Sequence, residues 1–125
     1  MQWTDGENRG FSTAKELYLP VDYDSASVQS ESSRPDGLLQ TVKKLIALHK
    51  KLPYTAEVRV MEASYPFVYE RICNDGVYTV FLQPALQSTK RLLDFDEIID
   101  CENCVVEKGM ISTEGVGYAI VFRKS

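Results

Sequence analysis

One histidine, one tryptophan and three cysteines are all that this chain of 125 residues offers of the side chains rarest in proteins and richest in chemistry. Each shortage excludes something. The single histidine, His49, has no serine, cysteine or aspartate motif nearby that would make a nucleophile–base pair, so a structural or surface role is expected for it. Cys73, Cys101 and Cys104 are an odd number and give no disulfide framework, which favours a reducing, cytoplasmic setting. Cys101-Glu102-Asn103-Cys104 has the spacing of a zinc or redox pair, but zinc wants four ligands and only one other cysteine and one histidine remain. A redox pair would be expected to open a helix, whereas this one falls between strands. The ordinary reading is a hairpin with two plain thiols, no metal and no cofactor. No apolar run approaches the ~20 residues that span a bilayer, and Met1 is followed at once by polar residues, so neither a membrane anchor nor a signal peptide is expected.

Basic clusters are scarce too. Lys43-Lys44 and Lys50-Lys51 are the densest, and the formal charge is −4 with a pI near 5.0, which argues against nucleic acid as a partner. What is present looks globular, with 44% hydrophobic and 26% charged residues.

The first third and the remainder differ in texture. Residues 1–33 are rich in polar and turn-forming side chains and predict a long irregular loop. A helix over residues 34–52 follows. Ser33 can cap it, Pro35 suits its first turn, Asp36 suits its positive end, and Pro53 stops it. Leu38, Leu39, Val42, Leu45, Ile46 and His49 share one face of an amphipathic helix, with lysines mostly on the other. From Thr55 on, short strands take over: 56–62, 65–72, 77–82, 89–93, 97–100, 104–107, 110–112 and 117–123. Asn74-Asp75-Gly76 is a hairpin turn, and Gly117-Tyr118-Ala119-Ile120-Val121-Phe122 suits a central strand. The pattern predicts a mainly β protein, an antiparallel Greek-key β-sandwich over residues 54–125, preceded by one helix and a long loop (residues 1–53) that belong to a different architectural unit.

Two surface features invite a functional reading. Tyr65, Phe67 and Tyr69 alternate along one strand and would put three rings on one face, a platform for a sugar; such a face is more often core. The carboxylates Asp22 and Asp24, and Asp94, Asp96 and Glu97, fall in turns and are expected to be solvated.

The opening stretch MQWTDGENRGFSTA resembles the segment PMQW(D/S)…NAGF(S/T) of glycoside hydrolase family 13, the α-amylase family, in its α-glucosidase, oligo-1,6-glucosidase and trehalose synthase branch. The resemblance continues through Leu17-Tyr18-Leu19-Pro20-Val21. Pro35-Asp36-Gly37-Leu38-Leu39 is similar to the family's PDSLL, Lys43–Lys50 to its RKLIALRK, and Gly117–Phe122 to the closing strand PYEAVVF of its C-terminal sandwich, domain C. It implies that residues 1–53 are the last β/α unit of a (β/α)8 catalytic barrel and that residues 54–125 are domain C. It further implies an enzyme acting on α-glucosidic linkages of maltooligosaccharide type by retention, whose paired carboxyl groups lie upstream of Met1. The chain alone would then hold no catalytic residue and act as a structural domain, with a free-standing carbohydrate-binding module as the alternative. Gln2, Trp3 and Asp5 would line the substrate rim in the parent, Trp3 by stacking and the others by hydrogen bonds. The partners implied are the missing barrel and an α-glucan oligosaccharide, with a homodimer through the helix face when the barrel is absent. Arg9 stands where the family often has alanine.

Overall fold

The computed structural model describes residues 1–125 and separates into two compact units, Met1–Lys51 and Leu52–Ser125. In the first unit, a 3-10 turn at Glu7–Gly10 is followed by two α-helices, α1 (Val28–Ser32) and α2 (Leu38–Lys51). The capping pattern expected at Ser33 is found earlier. Ser27 caps α1 by accepting from the Ser30 amide at 3.0 Å, and the Ser30 hydroxyl reaches back to the Ser27 backbone, so reciprocal capping satisfies two donors that a helix start leaves free.

The helix expected from residue 34 therefore begins later, at Leu38. Pro35 serves a turn instead of a helix start: the Gly37 amide donates to the Arg34 carbonyl at 3.1 Å, which puts proline and glycine at the positions a type I turn favours. A Cβ on Gly37 would stand 2.9 Å from the Glu31 carboxylate and 3.1 Å from the Arg34 side chain, so the turn is tight there. Glu31 then supplies the missing cap across the turn, its carboxylate accepting from the Leu39 amide at 3.4 Å where the helix end is positive. Along α2, Leu39, Leu45 and Leu48 are half-buried, while Leu38, Val42 and Ile46 form an exposed stripe four residues apart. The loop expected over residues 1–33 is thus only partly irregular.

The second unit is a mainly antiparallel β-sandwich. Its eight strands are β1 (Glu57–Glu62), β2 (Phe67–Cys73), β3 (Gly76–Gln83), β4 (Thr89–Leu92), β5 (Glu97–Glu102), β6 (Val105–Glu107), β7 (Met110–Thr113) and β8 (Gly117–Lys124). One sheet has the order β1-β2-β3-β8-β5 and the other β4-β7-β6. The β2–β3 hairpin closes at Cys73 opposite Gly76 over Asn74-Asp75, where the backbone of β8 comes so near that a Cβ on Gly76 would lie 2.2 Å from the Arg123 carbonyl. Between the sheets lie Val68, Phe81, Ala119 and Val121 from the larger sheet and Ile111 from the smaller, flanked by Leu93, Phe95, Cys104 and Val106. β8 lies between β3 and β5, and its residues Ala119–Phe122 are all buried, as a β-branched and aromatic run of that kind requires. The opposite face of the larger sheet is apolar as well, with the Tyr78 and Phe122 rings 4.6 Å apart. No helix is long and apolar enough to cross a membrane.

Candidate functional site

The opening loop is organised by a charged side chain that its sequence motif does not announce. Arg9 is buried, at 6% exposure, with its backbone in the left-handed region (φ 54°). Its guanidinium donates to Asp5 Oδ1 at 2.9 Å, to the Asp22 carbonyl at 3.3 Å, to the Ser25 carbonyl at 2.9 Å and to the Tyr23 carbonyl. It also stacks over the Tyr23 ring, 5.2 Å from the centroid, a geometry in which a cation gains from the ring's negative face. One planar fork thereby ties residues 22–25 to the turn at 5–10. The Arg9 carbonyl accepts from the amides of Trp3 and Thr4 at 2.8 and 3.0 Å, and the carbonyls of Gln2 and Trp3 in turn accept from Val28 and Gln29, both at 3.0 Å.

Of the three residues proposed for a sugar rim, two are turned to this scaffold. Asp5 Oδ1 accepts from Arg9 and, at 2.7 Å, from the Ser27 hydroxyl. Gln2 donates through Nε2 to Ser25 Oγ, while its Oε1 is buried without a partner. Trp3 alone of the three presents a ring to solvent, at 52% exposure. Beside them an open groove of about 840 Å³ runs between Met1, Gln2, Glu31, Arg34, Leu38 and Val42. The signal that could have singled out Arg9 is the acid four residues before it, Asp5, in a segment where the resemblance leads one to expect alanine.

The aromatic row is rearranged. β2 begins at Phe67, so Tyr65 lies off the strand and is exposed; the expectation of three rings on one strand face is corrected to a pair, Phe67 and Tyr69, with centroids 5.6 Å apart. Alternation also decides which face this is. Val68 between them points into the two-sheet core, so the pair lies on the other face of the sheet.

The remaining candidates are structural in their surroundings. Asp22 accepts from the Asp24 amide at 2.9 Å. Asp94 pairs with Arg123 at 3.5 Å and Asp96 accepts from the Lys124 amide at 2.9 Å, so these carboxylates fasten turns to strand ends. His49 is exposed on the last turn of α2. All three cysteines are free thiols, and no three side chains of the kind that hold a metal come together. Burial, and then the neighbouring Cys101, push the Cys104 thiol above its ordinary range. Burial and a hydrogen bond to Asp100 raise the Tyr118 phenol; its hydroxyl donates to Asp100 Oδ2 at 2.9 Å.

No family model matches the chain. Among curated proteins it is similar to a glucan 1,6-alpha-glucosidase of Streptococcus dysgalactiae subsp. equisimilis, 31% identical over 85 residues, which are 64% of this chain and 16% of that protein. Among solved structures it is similar to the trehalulose synthase MutB of Pseudomonas mesoacidophila MX-45, with a TM-score of 0.81 and 18% identity over 97% of this chain and 24% of that one. An isomaltulose synthase variant of Erwinia rhapontici NX5, in complex with D-glucose, gives a TM-score of 0.82 at 17% identity, over 99% of this chain and 24% of that one. A structure described as a family GH13_31 enzyme gives 0.83 at 19%, over 99% of this chain and 23% of that one. The chain thus spans less than a quarter of the length of each relative.

Proposed function

From the premise that this chain is similar, in sequence and in fold, to the C-terminal part of glycoside hydrolase family 13 enzymes, we propose that it serves as the non-catalytic C-terminal portion of an enzyme acting on α-glucosidic linkages of maltooligosaccharide type. The observation that carries this reading is one of coverage: nearly the whole chain is matched, against less than a quarter of enzymes such as MutB. On this reading the first unit is the last β/α unit of a catalytic barrel and the second is domain C. The exposed stripe Leu38, Val42 and Ile46 and the groove beside it meet the rest of that barrel, since contiguous apolar surface of this kind marks a contact site. In the chain by itself the stripe pairs with a second copy. Trp3 is the ring the opening loop offers to a pyranose, and Arg9 fixes the backbone from which it projects.

The expected result is no turnover of an aryl α-glucoside and no heat on titrating the 125-residue chain with millimolar maltotetraose. Turnover would overturn the reading. Heat that disappears in Phe67→Ala would shift it to a carbohydrate-binding module, for which the Phe67–Tyr69 pair is the supporting observation.

A further inference from the structure

Where the chain leaves the larger sheet for the smaller one, between β5 and β6, it carries Cys101 and Cys104 on either side of Glu102-Asn103. The ladder fixes which way each thiol faces. Cys101 stands directly opposite Ala119 in the β5–β8 pairing, and opposed residues of an antiparallel pair project from the same face. Ala119 is fully buried in the core between the sheets, so Cys101 leaves its strand on the inter-sheet side, at the rim where it is exposed. Cys104 packs against that same core cluster and is half-buried. Both sulfurs therefore lie on one side of the crossover.

The bend between them is held. Asn103 has φ 53°, the left-handed region that turns a chain back on itself within one residue. Its carbonyl accepts from Thr113 Oγ1 on β7 at 2.7 Å, and the same hydroxyl lies 2.8 Å from the Gly115 carbonyl. From the other side Gly117 abuts the bend so closely that a Cβ there would lie 2.8 Å from the Asn103 carbonyl. The two sheets thus grip the four-residue segment from both flanks.

We infer that Cys101 and Cys104 form a thiol-oxidation site, in which Cys101 is the accessible thiol and Cys104 the resolving one, closed to an internal disulfide by a low-molecular-weight disulfide. In the first step the Cys101 thiolate attacks one sulfur of the small disulfide. The Cys101–sulfur bond forms, the small disulfide's S–S bond breaks, and the departing thiolate takes back from solvent the proton that Cys101 gave up. In the second, Cys104 loses its proton to solvent and attacks the Cys101 sulfur, displacing the second small thiol. The two protein thiols are oxidised by two electrons and one small disulfide is reduced to two thiols, so the exchange balances. Holding Cys104 beside the mixed disulfide makes the second step intramolecular, which gives it a high effective concentration. The third cysteine, Cys73, is at the far end of β2 in the β2–β3 hairpin and has no part in this.

The test uses the reduced 125-residue chain and oxidised glutathione as probe, with peptide mapping by mass spectrometry after the remaining thiols are blocked. The expected product is a Cys101–Cys104 disulfide with no retained glutathione. Cys104→Ser should keep glutathione on Cys101, and Cys101→Ser should react at least about tenfold more slowly, because exposure governs attack. A wild-type chain that retains glutathione on Cys101, reacts first at Cys73 or consumes no thiol would overturn the inference. So would a disulfide that forms no faster in the native chain than in the same chain unfolded in urea, since the fold would then contribute nothing to bringing the thiols together.

Discussion

Arg9 shows how one buried cation can stand in for a hydrophobic core. A loop of some twenty-five residues has little apolar surface to bury, and the guanidinium offers a rigid set of donors that reaches several carbonyls together. Arg9→Ala removes a charged donor from Asp5 and from three backbone acceptors, and it is expected to cost the first unit about 2–3 kcal/mol. Arg9→Lys should recover only part of this, because an ammonium cannot span the same acceptors. Hydrogen exchange at the amides of Trp3, Thr4, Val28 and Gln29 would report it; unchanged protection in Arg9→Ala would mean the loop is held by other means. Tyr118 gives a pH-dependent counterpart. Its phenol is raised above the ordinary value of 10.0 by burial and by donating to Asp100, so above that pH the unfolded chain loses this proton before the folded one does. Stability is then full below the unfolded value and falls as pH rises through it and beyond. The alkaline slope of chemical unfolding should flatten in Tyr118→Phe, and an identical slope would remove this group from the account. At this scale the sequence is legible for Val121, which lies in the apolar run that suits a central strand, but it misleads on β2, where alternation favours Phe67 and Tyr69 as the core face and Val68 is the residue between the sheets. It was opaque for Arg9, Asp5 and Gln2, because a polar residue's role depends on which distant carbonyls it meets.

Helix and strand boundaries follow the same division. The apolar spacing located α2, and Pro53 its end, since both are local. The start is not local: Ser33 and Pro35 fit two roles, a helix start and a turn, and Glu31 caps α2 from across the turn. Glu31→Ala is therefore expected to cost about 1 kcal/mol, the usual worth of a helix cap, and to fray the first turn of α2 alone; loss of helicity along the whole of α2 would contradict this. In the second unit the hairpin at Asn74-Asp75 was plain from turn chemistry, and Gly76 is the residue that lets it pack. Gly76→Ala drives a methyl group into the Arg123 carbonyl and the Phe122 ring and should lower stability by about 2–3 kcal/mol, as overpacking does. A thermal melt at neutral pH is sufficient to check it. Tyr65 reads as part of a strand that starts two residues further on, at Phe67, because no local signal separates a strand's first ring from the turn before it.

For the molecule as a whole, the mainly β class was readable because period-two alternation and turn residues recur along residues 54–125, and the eight strands fall close to where they were expected. The partition of those strands between two sheets was not readable, since pairing is set by contacts far apart in sequence. Phe81 is where the partition closes: it lies opposite Val68 on one side and Ala119 on the other. Phe81→Ala should cost the second unit about 3–5 kcal/mol, a cavity effect, seen as a lower urea midpoint. A shift below about 1 kcal/mol would show that the two sheets close over the gap.

The place of β8 has a consequence for how the protein is made. A ribosome delivers β3, β4, β5, β6 and β7 before it delivers the strand that stands between β3 and β5. Until Gly117–Lys124 emerges, β3 has no partner on one side, β5 has none, and Phe81, Val68 and Ile111 lack the residues that cover them. The nascent domain is therefore a set of unmatched edges until β8 arrives, the state most prone to misassociation, and its folding waits on the synthesis of that strand.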